Sequence, residues 1–485
     1  MNAAEQPDPV SPPGAVPLCV DLDGTLIRSD LLVESALQVL RANPLNLFRF
    51  AVWLLRGKAY LKRQIALRAE IDVAGLPYEP RMIAWLRDEG AQRPRVLCTA
   101  SDEKLAQAVA AHIGGFDEVL ASDGVHNLSG RHKGDELSRR FGERAFDYAG
   151  NEARDLHVWR RARRAIVVNA PAALAQRAGQ VTEVERVFER TGNRLKAWIK
   201  ALRLHQWLKN LLVFLPLLTA HLVLAPDALL HSCMAFAAFC LCASGVYLLN
   251  DLLDLDADRR HVRKRNRPLA AGRIPVLHAI VAAPLLLAGA LALALLLPPA
   301  LLLVLGGYFL MTMAYSLRLK RQVIVDVLLL AALYTMRLLA GAVATAVVPS
   351  FWLLAYSMFL FLSLALVKRY SELKVTLAQS QQVAVGRGYW VADLPVLMAL
   401  GVSAGMASVL VLALYINDPE TRRLYPGTLW LWLVPTLMLY WVSRVWMKTH
   451  RDEIDDDPVV WAVRDWQSLL TVALLGFCFV AASSW

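Results

Sequence analysis

Two groups of carboxylates in this 485-residue chain are spaced for chemistry. The first is Asp21 and Asp23 in Val20-Asp21-Leu22-Asp23-Gly24-Thr25-Leu26, directly after an apolar strand. Sheets of the α/β type bind ligands at the carboxyl ends of their strands. Two acids two residues apart at such an end suit an aspartyl-phosphate route: one attacks phosphorus, and the other protonates the leaving oxygen and then activates water. A plain Asp-Gly turn would also explain this pair taken alone. The second group is Asn250-Asp251-Leu252-Leu253-Asp254-Leu255-Asp256-Ala257-Asp258. If helical, positions 251, 254 and 258 share one face and Asp256 points elsewhere. Converging carboxylates at a membrane mouth need a cation, and hard oxygen donors favour Mg²⁺ bridged to substrate phosphates. The basic stretch that follows, RRHVRKRNRPLAAGR, places Lys264, Arg267 and Arg273 to hold phosphate oxygens.

The elements that must position these groups are of two kinds. A hydrophobic content of 56%, only 19% charge and a mean hydropathy of +0.41 are far from a soluble protein's composition. The apolar runs are confined to the region after residue 205, so a polar first part precedes a membrane part. Nine membrane spans are predicted near 209–224, 229–249, 277–297, 299–316, 326–346, 351–367, 394–415, 428–446 and 467–484. With the N-terminus inside, loops 251–273, 318–321, 368–387 and 444–464 face the cytoplasm and hold nearly all loop Lys and Arg; Arg422 and Arg423 are the exceptions. The +11 net charge is explained by this topology, and no nucleic-acid motif accompanies it.

In the first part, residues 17–21, 94–99 and 164–169 read as short buried parallel strands of a doubly wound α/β domain over 17–172. A helical cap is expected over about 30–90. Its segment LNLFRFAVWLL (45–55) is too short to cross a bilayer and rests on core or on the lipid interface. The Pro-rich residues 1–16 read as a disordered tail without signal-peptide features, which leaves the first domain in the cytoplasm. Residues 173–204 read as an amphipathic basic linker, and 205–485 as an all-α polytopic bundle. The six cysteines show no metal-ligand spacing and read as packing residues.

With Thr99 ending a second strand, Lys133 in SGRHKGDEL, and Asn151 and Asp155 in DYAGNEARD, the first part resembles the haloacid dehalogenase superfamily, particularly its phosphoserine-phosphatase-like members. The resemblance implies Asp21 as nucleophile, Asp23 as general acid/base, Thr99 and Lys133 as phosphate ligands, and a Mg²⁺ held by Asp21, Asp23, Asn151 and Asp155. Asn151 stands where an acid is usual; its amide oxygen can ligate the ion but adds no charge, so metal affinity is weakened. A regulatory or anchoring domain is the alternative.

The Asn250–Asp258 pattern resembles the first signature of the UbiA superfamily of intramembrane transferases, which implies that Asp251, Asp254 and Asp258 hold Mg²⁺ beside Asn250. The second signature of aromatic prenyltransferases usually adds two acids, whereas 315–341 here supplies only Asp326. RLHQWLKN (203–210), YSLRLK, LALVKRYSEL (364–373), RGYWVADL (387–394) and DDDPVVWAVRD (455–465) look like the decaprenyl-phosphate phosphoribosyltransferase-like branch. By that resemblance Lys209, Asn210, Tyr315, Lys320, Lys368, Arg369, Arg387 and Tyr389 line a cytoplasmic pocket, although each cation singly also fits a positive-inside or snorkelling role.

The expected activity is therefore transfer of phosphoribosyl from phosphoribosyl diphosphate to polyprenyl phosphate at the inner (cytoplasmic) membrane. The first domain would then remove the 5-phosphate. Three phosphate groups held together need the many cations of the inward loops. Prenylation of an aromatic acceptor with polyprenyl diphosphate and a non-catalytic lipid-binding role are the alternatives.

Overall fold

The computed structural model describes residues 15–88, 93–380, 382, 387–419, 425, 427–454 and 457–484. Nearly all of the expected tail over 1–16, Arg422 and Arg423, Asp455 and Asp456 of the DDDP stretch, and Trp485 lie outside the described residues. The chain divides into two compact units. One takes in the described residues up to Ala201 together with Leu248–Ala282; the other is Leu202–Tyr247 with Ala283 onward.

The first unit is built on a parallel six-stranded sheet of β1 (Leu18–Val20), β2 (Arg95–Asp102), β3 (Glu118–Ser122), β4 (Asp147–Gly150), β5 (Arg164–Val168) and β6 (Glu183–Phe188), in the order β3-β2-β1-β4-β5-β6. Alternate residues feed two cores. Leu18, Val20, Leu97, Ile166 and Val168 pack on one face, and Cys19, Val96, Cys98, Ala165 and Val167 on the other. Burial on both faces is why these strands read as continuous apolar runs. The chain reverses winding direction between β1 and β4, so the residues after these two strands meet at the crevice where such sheets hold ligands. Helices Leu31–Ala42, Asn46–Leu55, Lys58–Arg68 and Pro80–Asp88 form the insertion between β1 and β2.

The stretch expected to be a helical linker, 173–204, is different. It forms a helix over Ala172–Gly179, then edge strand β6 paired with β5, then a helix over Arg194–Ala201. In Glu-Val-Glu-Arg-Val-Phe much of the strand is exposed and charged, so its period-two signal is weak. Strands β3 and β4 also escape a sequence reading, because they are short and flanked by charge.

The second unit is helical. Together with the helix ends that run into the first unit, seven helices among the described residues are long and apolar enough to cross a membrane: Pro226–Leu253, Val276–Leu295, Ala300–Leu317, Val325–Ala344, Phe351–Ala378, Val391–Asn417 and Trp466–Ser483. The other two of the nine expected spans take a different form. Of residues 209–224, the stretch to Thr219 falls in a 3₁₀ helix, Leu204–Phe214, continued by the short helix Leu215–Thr219, and 220–224 form a turn. Residues 428–446 fall mainly in Leu433–His450, whose last turns carry Arg444, Lys448 and His450.

Glu79 ties the α/β unit together. It is fully buried and accepts hydrogen bonds from Arg28 Nε (2.9 Å), Arg81 Nε (2.8 Å) and Asn169 Nδ2 (2.9 Å), joining the turn after β1, the cap and the loop after β5. Burial alone would raise its carboxyl, but these donors outweigh it and hold the group down at about 2. Its folded-state value lies below the unfolded one, so its contribution is complete above the ordinary glutamate range and is lost as pH falls toward 2. Glu79→Gln is therefore expected to destabilise this unit by roughly 2–3 kcal/mol at pH 7. It should also remove most of the extra acid sensitivity between pH 4.5 and 2, as read by denaturant titration at each pH.

Candidate functional site

The carboxyl ends of β1, β2 and β4 gather the first group of residues. Asp21 follows β1, and its Oδ1 accepts from buried Lys133 Nζ at 2.7 Å. Lys133 also donates to Tyr148 Oη (3.0 Å), which in turn donates to Asp155 Oδ1 (3.0 Å). The backbone amides of Asn151 and Glu152 hold the other Asp155 oxygen at 2.9 and 2.8 Å. Asp23 accepts from Ser101 Oγ (2.7 Å) and from the Leu31 amide (2.8 Å). Burial pushes both carboxyls upward; Lys133 opposes this at Asp21, whereas Asp30 adds to it at Asp23, which is pushed up to about 8 despite the Ser101 hydrogen bond. A protonated Asp23 at neutral pH has the form a general acid requires.

Gly24 sits at φ +79°, and a Cβ there would stand 2.0 Å from Asn151 Nδ2. Only glycine lets the turn after β1 come this close to the residue after β4. Thr25 Oγ1 donates to Asn151 Oδ1 at 3.3 Å. A cavity of about 390 Å³ opens over this cluster, lined among others by Asp21, Asp23, Ser101, Lys133, Glu152 and Asp155. Thr99 is buried beneath it and accepts from the Ser101 amide, so Ser101 lines the cavity where Thr99 was expected. Lys62, from the cap, also lines it and donates to Ala100 O (2.6 Å) and Asn127 Oδ1 (2.7 Å). Tyr148, Ser101 and Lys62 were not singled out in the sequence. The strand expected to end at Thr99 runs on to Asp102, which is why Ser101, two residues further along it, reaches the cavity instead.

The second group also lies in the α/β unit's part of the chain. The helix Pro226–Leu253 delivers Asn250 and Asp251, and after a break at Asp254 (φ −92°, ψ 7°) a short helix, Leu255–Arg260, carries Asp256 and Asp258. Asp251 and Asp258 are buried and share one guanidinium: Arg267 Nη1 lies 3.2 Å from the first and 2.6 Å from the second. Burial raises the Asp258 carboxyl against the pull of Arg267. Asp254 instead accepts from Asn250 Nδ2 at 3.2 Å. The three expected carboxylates thus form a pair with a neighbour, because the helix breaks at the middle one. Among the described residues no three His, Cys, Asp or Glu side chains are grouped to hold a metal. Two hard carboxylates still fit Mg²⁺, which takes one or two from protein and completes its shell with water and substrate phosphate. Asp256 points away, to Arg41 at 2.8 Å. Lys264 and Arg273 are exposed on the same arm.

The membrane unit gathers six more of the expected residues into one network, five by their side chains and Lys320 by its carbonyl. Asp326 is 0% exposed and accepts from Arg369 Nε (2.5 Å) and Tyr389 Oη (2.5 Å). Arg369 continues to Glu372 and to Tyr315 Oη (2.8 Å), which also receives Arg387 Nη1 at 2.9 Å. Lys320 contributes its carbonyl to Arg387 (3.2 Å). Lys209 pairs with Asp457 and lies 5.6 Å from the Tyr334 ring. Asn210 is buried and accepts from Arg337 Nε at 2.7 Å, so its amide is committed to holding a buried cation. Glu372, Asp457 and Arg337 were missed; for Glu372 and Arg337, which lie in apolar helices, the ionisable side chain was itself a signal, whereas Asp457 caps a short loop helix and carried none. Lys368, next to Arg369 on helix Phe351–Ala378, makes no hydrogen bond or close ion pair among the described residues, although Glu372 and Asp457 act on it electrostatically.

The sequence profile of the UbiA prenyltransferase family matches residues 213–466. The chain belongs to the UbiA prenyltransferase family. The acidic arm and the Asp326 network both fall inside the UbiA region, and the Asp21 cluster outside it. The uncharacterized protein y4nM of Sinorhizobium fredii is 36% identical over 470 residues, 96% of this chain and 91% of that protein, so the similarity runs through both units. The nodulation protein NoeC of Azorhizobium caulinodans is 33% identical over 58% of this chain and 92% of its own length. A protein of Mycobacterium tuberculosis named decaprenyl-phosphate phosphoribosyltransferase is 40% identical over 191 residues, 39% of this chain, and the match spans 63% of that protein.

The Asp326 network makes a stability test possible. Removing one member of a buried ion pair strands the other charge, at a cost of about 3–5 kcal/mol. Asp326→Ala is expected to lower the thermal midpoint of the purified protein in detergent markedly. Lys368→Ala should shift that midpoint far less while lowering transfer activity, because among the described residues Lys368 makes no hydrogen bond or close ion pair, and Glu372 and Asp457 keep Arg369 and Lys209 as direct partners.

Proposed function

We propose that this UbiA-family membrane enzyme transfers phosphoribosyl from phosphoribosyl diphosphate to polyprenyl phosphate at the cytoplasmic face of the inner membrane, and that its α/β domain is a haloacid-dehalogenase-type phosphatase that removes the 5-phosphate. The observation that carries the reading is the state of Asp326. The one acid of the second signature is paired with Arg369 and hydrogen-bonded by Tyr389, so it is already committed and is not available to a second metal ion. With Arg387 and Lys368 close by in the same unit, such a site suits a substrate bearing several phosphates better than a second metal ion. The similarity to decaprenyl-phosphate phosphoribosyltransferase supports the same branch.

In this reading Asp251 and Asp258 hold Mg²⁺, with Asp254 and Asn250 beside them. The ion supplies charge neutralisation for the departing diphosphate. Arg267 and Lys264 on the same arm would serve as donors to phosphate oxygens, and within the membrane unit Lys209, Lys320, Lys368 and Arg387 are the candidate phosphate donors. In the α/β domain Asp21 attacks the phosphomonoester phosphorus and its bond to the ribose oxygen breaks. Asp23 delivers a proton to that oxygen, and afterwards takes one from the water that hydrolyses the aspartyl-phosphate. Lys133 steadies the phosphoryl oxygens, and Asp21, Asn151 and Asp155 are the oxygen donors that would hold a second Mg²⁺. The transfer product carries the phosphomonoester that such a domain cleaves, which gives the fusion its chemical sense.

The test is chromatography of labelled lipids formed from phosphoribosyl diphosphate, polyprenyl phosphate and Mg²⁺. The wild type should yield phosphorylated and dephosphorylated lipid-linked ribose. Asp21→Asn should accumulate only the phosphorylated lipid at an unchanged transfer rate, because the amide cannot attack phosphorus. Asp251→Ala should abolish both products, whereas Asp256→Ala should reduce transfer far less. Identical lipid mixtures from wild type and Asp21→Asn would rule out the phosphatase assignment.

A further inference from the structure

The cap helix Asn46–Leu55 is apolar on both sides, and its own domain uses only one. Asn46, Phe50 and Trp53 face inward onto Val39, Ile65 and Ala69, and Arg68 stacks on Trp53 with its guanidinium 4.6 Å from the ring. On the other side Leu45, Phe48, Val52 and Leu55 recur at helical spacing and are bare; Phe48 is 72% and Leu55 88% exposed. Leu47 and Leu54 widen the stripe. Isolated exposed apolar residues are ordinary, but a contiguous stripe marks a surface that meets another phase or partner. Ten residues make a helix of roughly 15 Å, half of what crossing needs, so it can only lie flat.

Three further observations say what covers the stripe. Arg49, Arg56 and Lys58 flank it as exposed bases, the charge that matches anionic headgroups. The preceding helix, Leu31–Ala42, is clamped to the arm between two membrane-spanning helices: Glu34 holds Arg259 through two bonds of 2.7 and 2.6 Å, and Arg41 holds Asp256 and the Leu252 carbonyl. Leu252 lies in the last turn of helix Pro226–Leu253, which is long and apolar enough to span a membrane, so the cap is tied to an end of such a helix. Finally, Leu54 and Lys58 line the cavity above Asp21 and Asp23, so the stripe runs to the cavity mouth.

We propose that Asn46–Leu55 lies in the headgroup layer of the bilayer that holds the chain, with Phe48 and Leu55 in the acyl region, and that it delivers a lipid-borne phosphomonoester to the Asp21 cavity. The delivery role rests on the phosphatase reading above; the membrane contact does not. The headgroup phosphate enters past Lys58 while its lipid tail stays in the membrane along the apolar stripe.

The test uses the full chain in nanodiscs containing anionic lipid, on a Cys233→Ser background. An environment-sensitive fluorophore is attached at Phe48→Cys, at Leu55→Cys, or at exposed Gln176→Cys as reference, and doxyl-labelled lipids are the quencher. Severalfold stronger quenching at 48 and 55 than at 176 is expected. Equal weak quenching at all three sites, or cross-linking of two copies through residue 48, would overturn the membrane contact. The double variant Phe48→Asp/Leu55→Asp should lose at least tenfold in phosphate release from lipid-linked phosphoribose and retain hydrolysis of soluble p-nitrophenyl phosphate. Loss of neither, or of both alike, would overturn the delivery role. A wild type that hydrolyses neither substrate overturns the phosphatase reading and the delivery role together, and the quenching still decides the membrane contact.

Discussion

Charge that is buried must be neutralised, and the arm between helices Pro226–Leu253 and Val276–Leu295 is arranged around that constraint. Asp251 and Asp258 are buried where a spanning helix ends, and the guanidinium of Arg267 bridges them. Without a cation the two carboxylates would repel each other in a poorly solvated place. Three further charges of the arm are paired with the cap: Arg259 with Glu34, Arg260 with Asp72 and Asp256 with Arg41. These ion pairs explain why residues 248–282 group with the α/β unit although both ends continue into spanning helices.

The same constraint sorts the ionisable residues of the membrane unit. Asp326 and Arg369 are 0% and 1% exposed, and each is the other's counter-charge. Arg337 is held by Asn210, the Leu333 carbonyl and Tyr308. Such groups are structural in this structure, whatever they do when substrate arrives. Lys368 differs, since among the described residues it makes no hydrogen bond or close ion pair and is met only electrostatically by Glu372 and Asp457, which leaves its ammonium able to meet an anion.

The sequence made the broad plan legible because both signals are periodic or local. Apolar runs marked the membrane part, and the acid pair after a buried strand marked the crevice of the α/β domain. Asp21, Lys133 and Asp155 come together as their types suggested. The fine plan was hidden for physical reasons. Strand β6 is a charged edge strand and resembles a surface helix. The break at Asp254 separates a carboxylate that a continuous helix would have kept in line. Thr99 lies under the cavity and yields its place to Ser101. Residues Lys209 and Asn210 were named as pocket residues from a motif, and the structure gives them partners, Asp457 and Arg337, that lie far away in sequence. Long-range pairing of this kind has no signature in a single sequence.

The central claim is that the membrane unit takes a phosphoribosyl donor in preference to a prenyl donor. The most direct measurement is Mg²⁺-dependent release of diphosphate by the purified chain, with two substrate pairs compared side by side. One pair is phosphoribosyl diphosphate with polyprenyl phosphate; the other is polyprenyl diphosphate with an aromatic acid acceptor. Release from the first pair alone is the expected result, and release from the second pair alone would contradict the account.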